Sequence, residues 1–394
     1  MIASFPNLGH SWPAFKTLLE CFDVKVVLPD LTNREALKIG VKYSPEFVCL
    51  PFKSTLGDFV SCIKNGADTL IMAVDCGPCR LGFYSSLHER LLKNMGYKNV
   101  RVIPLNQADL LEFKWLNTFF KVSTSNALIK YSMMVKATIF FLKKAKYIED
   151  IQTAEGIFRA YEQNTGDTTR TVNKLLKRLD KTNTVQSLRD FKFVIRNNFK
   201  YIDIDKKRVP LRVVRAGEIH VTLEPYVNLE IRRRLGEMGV IIHQSLSLYD
   251  WIIHRLHLNF RRKWLEHLAN PHIPLDIGGE TIWVIGEYIN SAMEGFDGFI
   301  HNYPFTCMPE TTSRTIIEEK LKKKYELPVL FISLDEQSGV EGFRTRLEAF
   351  VDLMNSRRNL KLKKGRTEKQ VLFANHNNFY RNDFYYKCIK FLQE

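Results

Sequence analysis

The sequence predicts an α/β protein with mostly parallel sheets, built as two similar lobes plus a helical insertion. Short apolar runs such as Asp68–Val74 and Val329–Ser333 alternate with stretches of helical spacing, the pattern of βαβ units. The alternation occurs twice, on either side of residues 106–207, where strand signals fade. In each round one strand runs into a loop that carries cysteine beside proline or glycine. The carboxyl ends of strands are where open α/β sheets place their ligands.

With 394 residues the chain has room for two or three domains. No apolar run approaches the roughly 20 residues that span a bilayer, and the first residues lack the basic, apolar and small-residue regions of a signal peptide. A cytoplasmic location without membrane contact is therefore expected. Seven cysteines are too sparse for a disulfide scaffold, and an odd number cannot all pair within one chain. A net charge of +15 invites a nucleic-acid partner. Much of the excess, however, lies between Lys121 and Lys207 and in the tail from Arg357, away from the strand-end loops. A solvated basic surface is the simpler expectation, and nucleic acid is not expected.

Residues 1–105 form the first expected lobe. Ile2–Phe5 is its first strand, followed by the loop Pro6–Ser11, a helix from Trp12 to Phe22 and a strand Val24–Leu28. A helix from Asn33 leads to Tyr43–Lys53, where Pro45 and Pro51 bracket Cys49. Proline breaks a helix interior, so the next helix is expected only from about Ser54 to Asn65. The strand Asp68–Val74 enters the turn Asp75-Cys76-Gly77-Pro78-Cys79-Arg80; a helix to about Met95 and the strand Val100–Ile103 complete the lobe.

Residues 106–207 are expected to be helical, with Trp115, Phe119, Phe120, Leu128, Tyr131, Met134, Ile139 and Phe140 spaced like core faces. The second lobe spans 208–356. Its strands are expected at Leu211–Arg215, Val240–His243, Gly298–His301 and Val329–Ser333. Helices are expected from about Pro225 to Met238, from Gly278 to Ala292, after Cys307 to about Lys324, and from Gly342 to Asn355. Residues 357–394 form a basic, aromatic tail, expected to dock as a terminal helix. The lobes repeat one plan: Asp68 opens a strand ending near Cys76 and Cys79, and Asp297 opens one ending before Cys307.

Four cysteines stand in loops beside proline or glycine: Cys49, Cys76, Cys79 and Cys307. Thiolates are soft ligands suited to Fe–S clusters or zinc. The C-x-x-C spacing of Cys76 and Cys79 lets both reach one metal or adjacent irons, a spacing shared with thioredoxin-like redox sites. Structural zinc usually draws on two close pairs, whereas here one pair joins two single cysteines. Cys21, Cys62 and Cys388 fall in helical patterns as small hydrophobes. Arg80 is either a donor near a cluster or an ion-pair partner at a helix start. Glu218 and Glu310, in strand-end loops, are either acid/base groups or helix N-terminal acids. His243, His254 and His257 lie on helix or strand faces. The chain has no P-loop, G-x-S-x-G elbow or H-E-x-x-H.

Tyr43–Lys53 and Cys76–Tyr84 resemble the 2-hydroxyacyl-CoA dehydratase family, specifically its CoA protein activase branch, as do Gly217–Val221, Glu224–Asn228 and Thr345–Phe350. The resemblance implies two flavodoxin-like lobes with a [4Fe–4S]-type cluster between them, and Cys49, Cys76, Cys79 and Cys307 as its ligands. It also implies an ATPase partner that delivers low-potential electrons, and a homodimer or a heterodimer with a related subunit. In the dehydratases the electron makes a ketyl radical of a CoA thioester; related members carry a double-cubane cluster. Four protein thiolates close a cubane and leave no open iron for substrate, so electron transfer or reductive activation is expected rather than dehydration. A double cubane would need more ligands than these four. The alternative is a non-enzymatic zinc- or nucleic-acid-binding protein on the same fold.

Overall fold

The computed structural model describes residues 1–74, 79–106, 127–255, 259–363 and 383–393. They divide into two compact units, one of Met1–Ile148 with Leu176–Lys192 and one of Glu149–Leu175 with Phe193–Glu394. The first contains β1 (Ile2–Ser4), α1 (Trp12–Glu20), β2 (Lys25–Val26), α2 (Arg34–Tyr43), α3 (Leu50–Lys64), β3 (Thr69–Val74), α4 (Tyr84–Asn94) and β4 (Arg101–Asn106). Its strands form a parallel sheet in the order β2-β1-β3-β4. Three long helices follow: α5 (Ala127–Phe158), α6 (Asp167–Asp180) and α7 (Val185–Lys200), whose residues are divided between the units.

The second unit repeats the plan with β5 (Leu211–Gly217), α8 (Ile219–Leu223), α9 (Ile231–Glu237), β6 (Val240–Gln244), α10 (Leu248–Arg255), α11 (Phe260–Ala269) and α12 (Thr281–Met293). Then come β7 (Gly298–Pro304), α13 (Met308–Ile316), α14 (Lys322–Tyr325), β8 (Val329–Leu334), α15 (Val340–Lys363) and α16 (Asp383–Gln393). The sheet is again parallel, in the order β6-β5-β7-β8. Both units are therefore α/β layers of one topology, as the sequence predicts.

The central strands are buried on both faces, which is why they read as continuous apolar runs. Leu70, Met72 and Val74 of β3 pack with Phe52, Leu56 and Phe59 of α3. In the second unit Val214, Ala216 and Phe299 pack with Val284, Ile285 and Tyr288 of α12.

The repeat extends to individual bonds. Asp68 donates its backbone N–H to the Ile2 carbonyl and accepts the Ile2 N–H on its carboxylate. Asp297 does both with Arg212. Each aspartate thus closes the amino end of a third strand onto a first. Gly57-Asp58 and Gly286-Glu287 precede these aspartates at the same spacing. Both glycines let a neighbouring helix approach: a Cβ would lie 2.0 Å from the Ala36 carbonyl oxygen at Gly57 and 2.2 Å from that of Leu265 at Gly286.

Several boundaries depart from expectation. α3 begins at Leu50, because Pro51 occupies its first turn, where its missing N–H costs nothing. The helix expected over 225–238 begins only at Ile231, as α9, after Leu229 and Glu230 at positive φ, while α8 ends earlier, at Leu223. β7 runs on to Pro304, with His301 to Pro304 all paired to β8. Tyr131 and Phe140 of α5 lie on opposite sides of the helix, nine residues at 3.6 per turn. Phe140 is buried, while Tyr131 and Ile139 are exposed. Trp115, Phe119 and Phe120 lie outside the described residues. The tail ends in a helix, α16, docked through Phe384, Cys388 and Leu392. No helix among the described residues is long and apolar enough to cross a membrane.

Candidate functional site

In a doubly wound sheet the crevice opens where successive connections leave in opposite directions. The strand orders place these switch points between β1 and β3 in the first unit and between β5 and β7 in the second. The cysteine-bearing loops follow β3 and β7.

In the first unit Cys76 lies outside the described residues, and Cys79 opens the 3-10 turn Arg80–Phe83 that leads into α4. Cys49 stands at the N-cap of α3. Two bonds fasten these separate segments together. The Tyr84 hydroxyl lies 2.5 Å from the Cys49 sulfur, and the Arg80 guanidinium donates to the Phe47 carbonyl at 2.8 Å. Arg80 therefore acts as a clasp to the backbone of the Cys49 loop. Behind the pair, Phe52 meets Tyr84 edge-on with ring centres 5.0 Å apart and stacks on His88 at 4.0 Å. Burial pushes the His88 pKa down to about 3. The imidazole is thus neutral at pH 7, and its Nε2 lies within hydrogen-bond distance of the Thr55 hydroxyl. Phe47 and Phe83 stay 72% and 64% exposed at the rim.

In the second unit Cys307 is buried at the N-cap of α13, and Pro309 follows it in the first turn. Cys49-Leu50-Pro51 and Cys307-Met308-Pro309 are thus one local design. Proline fixes the first turn, and the cysteine before it faces the positive end of the helix dipole, which suits an anionic sulfur. Thr306, next to Cys307, is held at φ 67°, a conformation that β-branched residues rarely adopt. Gly217 ends β5 at φ +148°, where a Cβ would sit 1.8 Å from the Asn302 carbonyl oxygen of β7.

Beside this loop lies a buried acid–imidazole group. His301 Nε2 is 2.6 Å from a Glu310 carboxylate oxygen, which Ser313 also approaches at 3.3 Å. Glu218 caps α8, its carboxylate accepting the His220 and Val221 N–H groups at 3.0 and 2.8 Å. Burial, against those two bonds and reinforced by the charges of Glu310 and Glu280, pushes its pKa up to about 7. Glu218 is thus the N-cap acid of α8 and Glu310 a first-turn acid of α13, turned onto His301. The Glu310–His301 pair joins residues on α13 and β7, a contact made by the packing of helix on strand.

Of the other cysteines, burial pushes the thiols of Cys62 and Cys388 up to about 12, leaving them protonated hydrophobes. His243 is buried in β6, His254 lies on α10, and His257 is outside the described residues. Among the described residues no group of three or more His, Cys, Asp or Glu is arranged to hold a metal ion. The donor set itself fits a thiolate-bound group: Cys49, Cys79 and Cys307 each open a helix or helical turn, Cys79 and Cys307 after the strands β3 and β7 and Cys49 in the connection between α2 and α3.

Twin parallel sheets of one strand order, each with a cysteine-bearing loop after its third strand, define an α/β protein of two similar units. Residues 5–246 match the family described as a CoA enzyme activase uncharacterised domain. The chain belongs to this 2-hydroxyacyl-CoA dehydratase-like family. No curated protein matches it.

Proposed function

We propose that this protein is an iron–sulfur electron carrier or reductive activator, with Cys49, Cys76, Cys79 and Cys307 as ligands of a [4Fe–4S]-type cluster. The observation that carries this reading is the clasp between the Cys49 and Cys79 segments at the switch point of the first sheet, with Cys307 at the corresponding loop of the second. A bound cluster would supply a one-electron reservoir of low potential. Within the protein, Tyr84 would donate its hydroxyl to the Cys49 sulfur, a bond that steadies a thiolate ligand and tunes its donor strength. Arg80 would hold the two segments in register through the Phe47 carbonyl. The proposed electron donor is an ATP-dependent activator, as the family resemblance implies, and the exposed Phe47 and Phe83 at the rim suit protein contact.

The test is anaerobic purification followed by iron, sulfide and zinc analysis and electron paramagnetic resonance under stepwise reduction. Near-stoichiometric iron and sulfide with a reversible low-potential signal support the proposal. Zinc in place of iron supports the zinc-binding alternative, and a protein that takes up neither metal after reconstitution overturns both.

A further inference from the structure

We propose that the second unit binds a small inorganic anion of chloride size at Arg215, near the carboxyl end of β5. Arg215 is 1% exposed. Its Nη2 donates to the Thr222 carbonyl of α8 at 2.6 Å and to Gln244 Oε1, at the end of β6, at 2.7 Å. Its Nε and Nη1 are buried and have no hydrogen-bond partner among the described residues. Gln244 Oε1 also accepts from Arg232 of α9, so one amide oxygen serves two guanidiniums.

The chemistry of these groups selects the ligand. Arginine keeps its proton in proteins, so the buried side chain carries a charge that has to be balanced. Glu155 is the acid whose charge reaches Arg215. Its carboxylate is divided between two other guanidiniums, Arg159 at 2.7 Å and Arg232 at 2.8 Å. Glu162, 3.9 Å from Arg159, accepts the Gly166 and Thr168 N–H groups. Burial and the charge of Arg232 each disfavour the Arg215 cation more than Glu155 favours it. The unpartnered atoms are donors, and a buried donor without an acceptor is costly. A water would meet the donors and leave the charge, whereas an anion answers both. A side chain so enclosed suits a halide-sized ion better than a phosphate ester, and half-buried Gln244 and Arg232 give that ion an approach from solvent. The site shares no residue with the cysteine loops, so it stands or falls independently of them.

The test is urea unfolding of the full chain in sodium chloride from about 1 to about 300 mM, with sodium gluconate holding the ionic strength constant. It is repeated on Gln244→Glu, which places a carboxylate against both guanidiniums, and on Arg215→Met, which removes the charge. Gln244 is half-buried, so Gln244→Glu decides the matter even where Arg215→Met does not fold. The wild-type midpoint should rise with the logarithm of chloride concentration, because an ion bound by the folded state alone stabilises it by mass action. That rise should shrink at least about threefold in Gln244→Glu, whose own carboxylate replaces the ion, and vanish in Arg215→Met. A wild-type midpoint indifferent to chloride, the result a buried water would give, overturns the proposal. A chloride dependence that persists undiminished in Gln244→Glu overturns it equally.

Discussion

Replacing Glu218 by glutamine should remove a pH dependence that the wild-type fold carries at its second switch point. Its folded pKa of about 7 stands above the ordinary 4.5. Between those values the native state therefore binds more protons than the unfolded chain. Stability from this group is fully present below pH 4.5 and is lost as pH rises through 7. The full difference is about 3 kcal/mol at 1.36 kcal/mol per unit, of which about 2.5 kcal/mol falls between pH 5 and pH 8. Glutamine keeps a carbonyl oxygen for one of the two capping N–H groups and does not titrate. The quantity to measure is the wild-type minus Glu218→Gln stability, because the other titrating groups then cancel. Urea titration followed by tryptophan fluorescence suits the purpose, since Trp251, Trp264 and Trp283 all lie in the second unit. The difference should fall by about 2.5 kcal/mol from pH 5 to pH 8. A flat difference, or one that rises with pH, would refute the assignment of burial as the dominant cause.

The repeated aspartates should differ in cost. Asp297, 6% exposed and bonded to buried Arg358, should lose about 3–5 kcal/mol on change to asparagine, whereas Asp68, 50% exposed, should lose about 1 kcal/mol or less by the same denaturation assay. Gly217→Ala should cost about 3 kcal/mol or more, because its Cβ would force β5 and β7 apart at the Asn302 carbonyl; a melting temperature within 2 °C of wild type would contradict that geometry.

Much of this architecture is legible in the sequence because buried parallel strands are short apolar runs and their helices carry a 3.6-residue period. The Asp68 and Asp297 pair marks the repeat, and Gly57-Asp58 with Gly286-Glu287 at the same spacing is a further mark of it. Pro51 misleads because a proline's meaning depends on whether it falls in a first turn or an interior. Side-chain partners are less accessible. Tyr84 on Cys49, and His301 on Glu310, join residues brought together by sheet register and helix packing, which no local pattern records.

The most direct test of the proposed cluster is iron and acid-labile sulfide per chain, measured after anaerobic reconstitution of wild type and of Cys49→Ala, Cys76→Ala, Cys79→Ala and Cys307→Ala variants. A cluster in the wild type, with its content and resonance signal reduced or abolished in all four variants, is the predicted result. Full iron and sulfide retained in any of the four would remove that cysteine from the ligand set. Retention in Cys76→Ala and Cys79→Ala together would contradict the account.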